Sequence, residues 1–126
     1  MTKVEKCNRV ICDSSRLESE GTGYRFVVDR DGETLETFVL RYRGKVYSYL
    51  NRCPHLFLSM DYEEGEFFDL SADYIVCSNH GALFEPDSGE CVSGPCFGAS
   101  LEPIQVVESD GLVMIDDDCH TLVEDR

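Results

Sequence analysis

Two short motifs each set a thiol beside an imidazole: Cys53-Pro54-His55 and Cys77-Ser78-Asn79-His80. They constrain the fold more than any other feature of the chain. Two sulfur and two nitrogen donors become useful only if both loops converge on one point. A lone Cys-x-His is a weak signal, whereas two pairs in one small chain are much more specific. Packing alone, with buried cysteines and satisfied core histidines, is the weaker alternative, because two of the chain's three histidines lie within two or three residues of a cysteine. A tetrahedral structural zinc uses the same donors, and spacing does not exclude it.

The rest of the chain narrows the setting. With 126 residues and 42% apolar content there is room for one domain with a modest core. Seven cysteines, an odd number, do not make a disulfide framework. Eleven Lys and Arg stand against 25 Asp and Glu, a net charge of −14. That charge opposes nucleic acid and anionic membranes, and it suits either plain solubility or the docking of basic protein partners. No apolar run follows the start of the chain and none is long enough to span a bilayer, so the expected location is cytoplasmic and the expected state a monomer.

Short strands joined by turns account for most of the pattern. Strands are expected at Arg9–Cys12, Tyr24–Asp29, Leu35–Arg43 and Lys45–Leu50, with a turn of helix within Arg16–Glu20. Asp31-Gly32 and Gly44 mark tight turns. Phe38, Leu40 and Tyr42 share one face of their strand and Leu35, Thr37 and Val39 the other, which places that strand inside a sandwich or barrel. Ile104–Val107 and Leu112–Ile115 form a further hairpin. The fold class is mostly β and antiparallel. The division is one domain: a base of about 1–50 and 101–116, a loop-rich sub-domain of about 51–100 lacking an apolar core of its own, and a solvated acidic tail over 117–126.

The residues after the second pair separate the metal alternatives. His80-Gly81-Ala82-Leu83-Phe84 is followed by Asp87-Ser88-Gly89-Glu90-Cys91, then Gly94-Pro95, then Leu101. Here the sequence resembles the Rieske iron–sulfur family over roughly residues 45–115. The resemblance implies the Rieske fold, an antiparallel β-sandwich base with an inserted cluster-binding sub-domain. It implies one 2Fe–2S cluster, with Cys53 and Cys77 on one iron and His55 and His80 on the other. Leu56, Gly81, Ala82 and Pro95 would lie just outside the ligands, with the Gly94-Pro95 loop covering the cluster. Histidine ligation leaves the oxidised cluster formally neutral, so an added electron meets less repulsion than in a four-cysteine cluster, and the potential rises.

Departures from the family pattern point to the lower-potential ferredoxin type. High-potential members join the cluster loops with a disulfide whose positions here hold Leu58 and Asn79. They also carry a serine where this chain has Ala82. Losing both devices removes stabilisation of added electron density, so the midpoint is expected below zero in a range of roughly −150 to +300 mV. The stretch between His55 and Cys77 is longer than the family leads one to expect, with the excess in the acidic segment 61–73. Cys96 and Cys91 are expected to pack, Cys7 and Cys12 to lie in strands, and His120 beside Cys119 to have no role. The function implied is a one-electron carrier between a reductase and an oxygenase or other acceptor, docking near His55 and His80. A small subunit of a larger redox enzyme such as nitrite reductase is the second reading, and a structural zinc module the third. Catalysis by the chain alone is not expected, since only His120 remains for any second iron.

Overall fold

Turn chemistry sets most of the strand boundaries in the computed structural model, which describes residues 9–52, 65–69, 71–77, 81–94, 98–117 and 120–123. The strands are β1 (Val10–Asp13), β2 (Tyr24–Arg30), β3 (Glu33–Tyr42), β4 (Lys45–Leu50), β5 (Ile75–Val76), β6 (Leu83–Phe84), β7 (Cys91–Ser93), β8 (Val106–Ser109), β9 (Leu112–Ile115) and β10 (Thr121–Leu122). Asp31-Gly32, Arg43-Gly44 and Asp110-Gly111 each hold two consecutive residues at positive φ. That conformation matches the right-handed twist of flanking strands, so each makes a tight hairpin.

Among the described residues three antiparallel sheets result, ordered β10-β2-β3-β4, β1-β9-β8 and β5-β6-β7. The two-faced reading of β3 holds. Phe38, Leu40 and Tyr42 join one buried cluster, while Leu35 and Val39 join the other. The second cluster is completed by Ile11, Cys12, Val113 and Ile115 from the β1-β9-β8 sheet. Thr37 is fully buried on β3, and its hydroxyl donates to the Phe26 carbonyl at 2.8 Å, which removes the cost of an unpaired polar group.

Four local expectations need correction. The described part of 51–100 does have an apolar core: Phe67, Ile75, Phe84, Cys91 and Leu101 pack with Phe38 and Leu40 of β3. Those residues sit on strands of two or three residues, too short to show a period in sequence. The turn of helix is a 3-10 turn at Ser14–Arg16, after which Ser19 bridges Arg41. The Arg41 guanidinium donates to the carbonyls of Ser14 and Leu17 and draws this segment onto β3. Ile104 is not part of the β8 hairpin, because its N–H donates to the Ser48 carbonyl of β4 at 2.9 Å. The tail is not simply solvated. His120 is buried, and Thr121 and Leu122 pair with Asp29 and Val28 of β2. Leu122 packs on the second core cluster, which is apolar area the acidic composition conceals.

Candidate functional site

Cys77 follows β5 directly and is fully buried. Its N–H donates to the Ala82 carbonyl at 2.9 Å, and its own carbonyl accepts from the Gly81 N–H at 2.8 Å. The chain therefore leaves Cys77 and returns to it within six residues, before β6 runs back beside β5. Gly81 completes the return at φ +75°, a conformation that costs other residues strain. Ala82 is buried beneath and brings no hydroxyl.

Gly94, the residue after β7, covers this turn. A Cβ at Gly94 would lie 2.8 Å from the Ala82 Cα and 3.1 Å from its Cβ, and its φ is +103°. Only a residue without a side chain lets the two backbones approach this closely. The third loop of the expected site thus meets the second one at Gly94 and Ala82. Cys91 begins β7 in the core, as expected of a packing residue, and its thiol donates to the Ser93 carbonyl at 3.3 Å.

The first loop is entered from the end of β4, which is held on both sides. The Leu50 N–H donates to the Glu102 carbonyl and the Asn51 N–H to the Glu36 carbonyl. After the loop, the Gly65 carbonyl accepts from Gly23 at 2.8 Å, and Phe67 stacks on Phe38 with ring centroids 3.9 Å apart. Cys53, His55, Leu56, Leu58, Asn79, His80, Pro95 and Cys96 lie outside the described residues, as do Cys7, Cys119 and residues 61–64 and 70 of the acidic segment 61–73. Of the four expected ligands, Cys77 alone is described, and no group of three or more metal-ligating side chains comes together among the described residues.

Sequence reasoning missed the pieces that hold this region on its base. The Tyr49 hydroxyl donates to the Pro86 carbonyl at 2.7 Å, tying β4 to the turn between β6 and β7, and burial pushes its phenol pKa up. Arg41 donates to Glu108 as well as to three carbonyls, and this lowers the Glu108 pKa. His120 hydrogen-bonds Asp117 through Nδ1 at 3.0 Å. The residue spacings of these contacts, up to 67 positions for Arg41 and Glu108, carry no local signal; only Asp117 and His120, three apart, could have been noticed. Burial of Cys12 raises its thiol pKa to about 11, which suits packing rather than redox work.

A family model described as the Rieske [2Fe-2S] domain matches residues 7–114. Among solved structures, the ferredoxin of carbazole 1,9a-dioxygenase from Nocardioides aromaticivorans IC177 is similar at 24% identity. The match covers 87% of this chain and 96% of that one, with a TM-score of 0.66. A chain from a complex of reduced oxygenase and oxidized ferredoxin in carbazole 1,9a-dioxygenase is 26% identical over 85% of this chain and 99% of that one, at a TM-score of 0.67. The Sphingomonas yanoikuyae B1 ferredoxin is 23% identical over 87% and 97%, at 0.61. The terminal oxygenase from the Nocardioides system matches over only 30% of its own length. A search of curated proteins found no match.

Proposed function

This chain belongs to the Rieske [2Fe-2S] domain family, and on that premise we propose that it is a one-electron carrier delivering electrons to an oxygenase-type acceptor. The observation that carries the reading is its correspondence to nearly the whole length of ferredoxins, against under a third of an oxygenase. No helix among the described residues is long and apolar enough to cross a membrane, and we place the protein in the cytoplasm.

The family's cofactor is a Rieske 2Fe–2S cluster, which supplies reversible one-electron chemistry when bound. The described residues fit it. Cys77 offers a soft donor from a fully buried position on a turn closed by two backbone hydrogen bonds. Gly94 leaves room for the covering loop to press on that turn. We assign Cys53, His55, Cys77 and His80 as the ligands. Gly81 shapes the return from Cys77, and Leu56 and Pro95 would complete the surround. Ala82 withholds the hydroxyl that would stabilise added charge, so the midpoint should fall below zero. Redox partners would dock near His55 and His80.

Purified protein should contain about two irons and two labile sulfides per chain. It should be brown and give a rhombic electron-spin signal once reduced. Voltammetry should show a one-electron couple below zero, and a reduced sample should pass its electron to a Rieske oxygenase. Colourless protein with stoichiometric zinc would refute the cofactor. A midpoint above about +150 mV would refute the argument from Ala82, Leu58 and Asn79. Loss of colour in Cys77→Ser or His80→Ala, with the far-ultraviolet spectrum of the sandwich retained, is the expected test of the ligands. A fully retained cluster in either variant would refute its assignment.

A further inference from the structure

The two cysteines assigned to the cluster start from different parts of the fold. Cys53 comes two residues after Asn51, whose N–H donates to the Glu36 carbonyl of β3 at 2.8 Å. Just before Asn51, Leu50 pairs with Thr37, also of β3. Cys77 comes directly after β5, where the Val76 N–H donates to the Phe67 carbonyl at 2.8 Å and Ile75 bridges Phe68. β3 therefore sets the origin of one ligand arm, and Phe67–Phe68 the origin of the other. The two origins meet in one contact. The Phe67 ring is fully buried and lies on the Phe38 ring of β3, centroids 3.9 Å and planes 18° apart.

A second observation shows that this ring has no slack. The Gly23 N–H donates to the Gly65 carbonyl at 2.8 Å, which holds the segment leading into Phe67 against Gly23. A Cβ on Gly23 would stand 2.9 Å from the Phe67 Cδ2, 3.2 Å from its Cε2 and 3.1 Å from the Val39 carbonyl oxygen. Carbon contacts settle at about 3.5–4.0 Å, so the Gly23 position leaves no room for a side chain beside the ring. Phe67 is thus a flat, stiff spacer with an aromatic ring on one part of its surface and backbone on another. The Tyr49–Pro86 hydrogen bond also joins β4 to the sub-domain, but Pro86 lies past β6, at the end away from the Cys77–Ala82 turn. The Phe67 contact lies on the short route between the two arms, from Asn51 through β3 to Phe67 and Val76.

We propose that Phe67, backed by Gly23, is a positioning residue for the cluster: its ring sets the separation of the Cys53 and Cys77 arms. Ligand distances at a metal tolerate only about 0.2 Å, so a spacer that yields by more than this changes the ligand field at the irons. The inference rests on the ligand assignment proposed above and adds to it a core residue that supplies no donor atom.

The test compares three holoprotein variants by the electron-spin signal of the reduced cluster, with the denaturation midpoint as the measure of stability. Phe67→Leu removes the spacer. Gly23→Ala keeps the ring but pushes it by about half an ångström, the shortfall of 2.9 Å from an ordinary contact. Phe26→Leu is the control: the same change in the other buried cluster, where Phe26 packs with Val28 and Leu35. All three should lower the midpoint. Phe67→Leu and Gly23→Ala should also shift the g values and broaden the signal, whereas the Phe26→Leu signal should superimpose on that of the unaltered protein. Gly23→Ala keeps the test decisive if Phe67→Leu does not fold. A signal unmoved by Gly23→Ala, or by a folded Phe67→Leu, or moved as far by Phe26→Leu, would overturn this inference alone. An unaltered protein with no rhombic signal would overturn the carrier reading and this inference with it.

Discussion

Replacing Gly94 by alanine tests the contact between the covering loop and the Cys77–Ala82 turn. At φ +103° an alanine pays the left-handed strain of about 1–2 kcal/mol. Its Cβ would also stand 2.8 Å from the Ala82 Cα, an overpacking of about 1–3 kcal/mol. Stiffening the unfolded chain returns about 0.4–1 kcal/mol. The net loss is about 3 kcal/mol. Gly98 is a matched control: its φ is +98°, and a Cβ there meets no described atom within 4 Å. Gly98→Ala should therefore cost only about 1 kcal/mol, the strain less the unfolded-state gain. The difference of about 2 kcal/mol is the contact itself. Because cluster loss makes unfolding irreversible, the quantity to compare is the rate at which visible absorbance bleaches in a fixed denaturant concentration. Gly94→Ala should bleach about thirtyfold faster than Gly98→Ala if the contact is lost before the barrier. Adding Ala82→Gly should rescue only part of this, since the backbone Cα remains in the way. Equal rates for the two glycine variants would refute the close approach of the loops.

Tyr49→Phe removes the donor to the Pro86 carbonyl and keeps the ring, so a loss of about 1–3 kcal/mol is expected, read as a lower denaturation midpoint with the potential unmoved. Arg41→Ala should cost at least as much, about 2–3 kcal/mol, because the carbonyls of Ser14, Leu17 and Gly44 lose their shared donor, and proteolysis should then cut first near residues 14–19. The Arg41–Glu108 pair gives a signed pH effect. Glu108 is lowered in the folded state, so its stabilisation is present above the usual 4.5 and is lost as pH falls below it; Glu108→Gln should flatten that part of the acid titration. Cys12, with its thiol at about 11, should resist alkylation near neutral pH and react faster as pH rises toward that value; rapid labelling at neutral pH in the folded protein would contradict its burial.

The sequence by itself determined the turns, the long strands and the chemistry of the candidate ligands. Asp31-Gly32, Arg43-Gly44 and Asp110-Gly111 are local devices, and the alternation along β3 is written in consecutive residues, so neither needs the rest of the chain to be recognised. The pairing of thiol with imidazole in each motif is likewise a property of adjacent positions. Tertiary structure decided what depends on distant residues meeting. Phe67, Ile75 and Phe84 become a core only because the face of β3 bearing Phe38 and Leu40 receives them. His120 and Leu122 look like part of an acidic tail until β2 offers an edge to pair with. Gly94 looks like any loop glycine until Ala82 is found against it. In each case apolar area or close contact is gained between segments tens of residues apart, and the energy that rewards the meeting leaves no period or spacing in the chain to read.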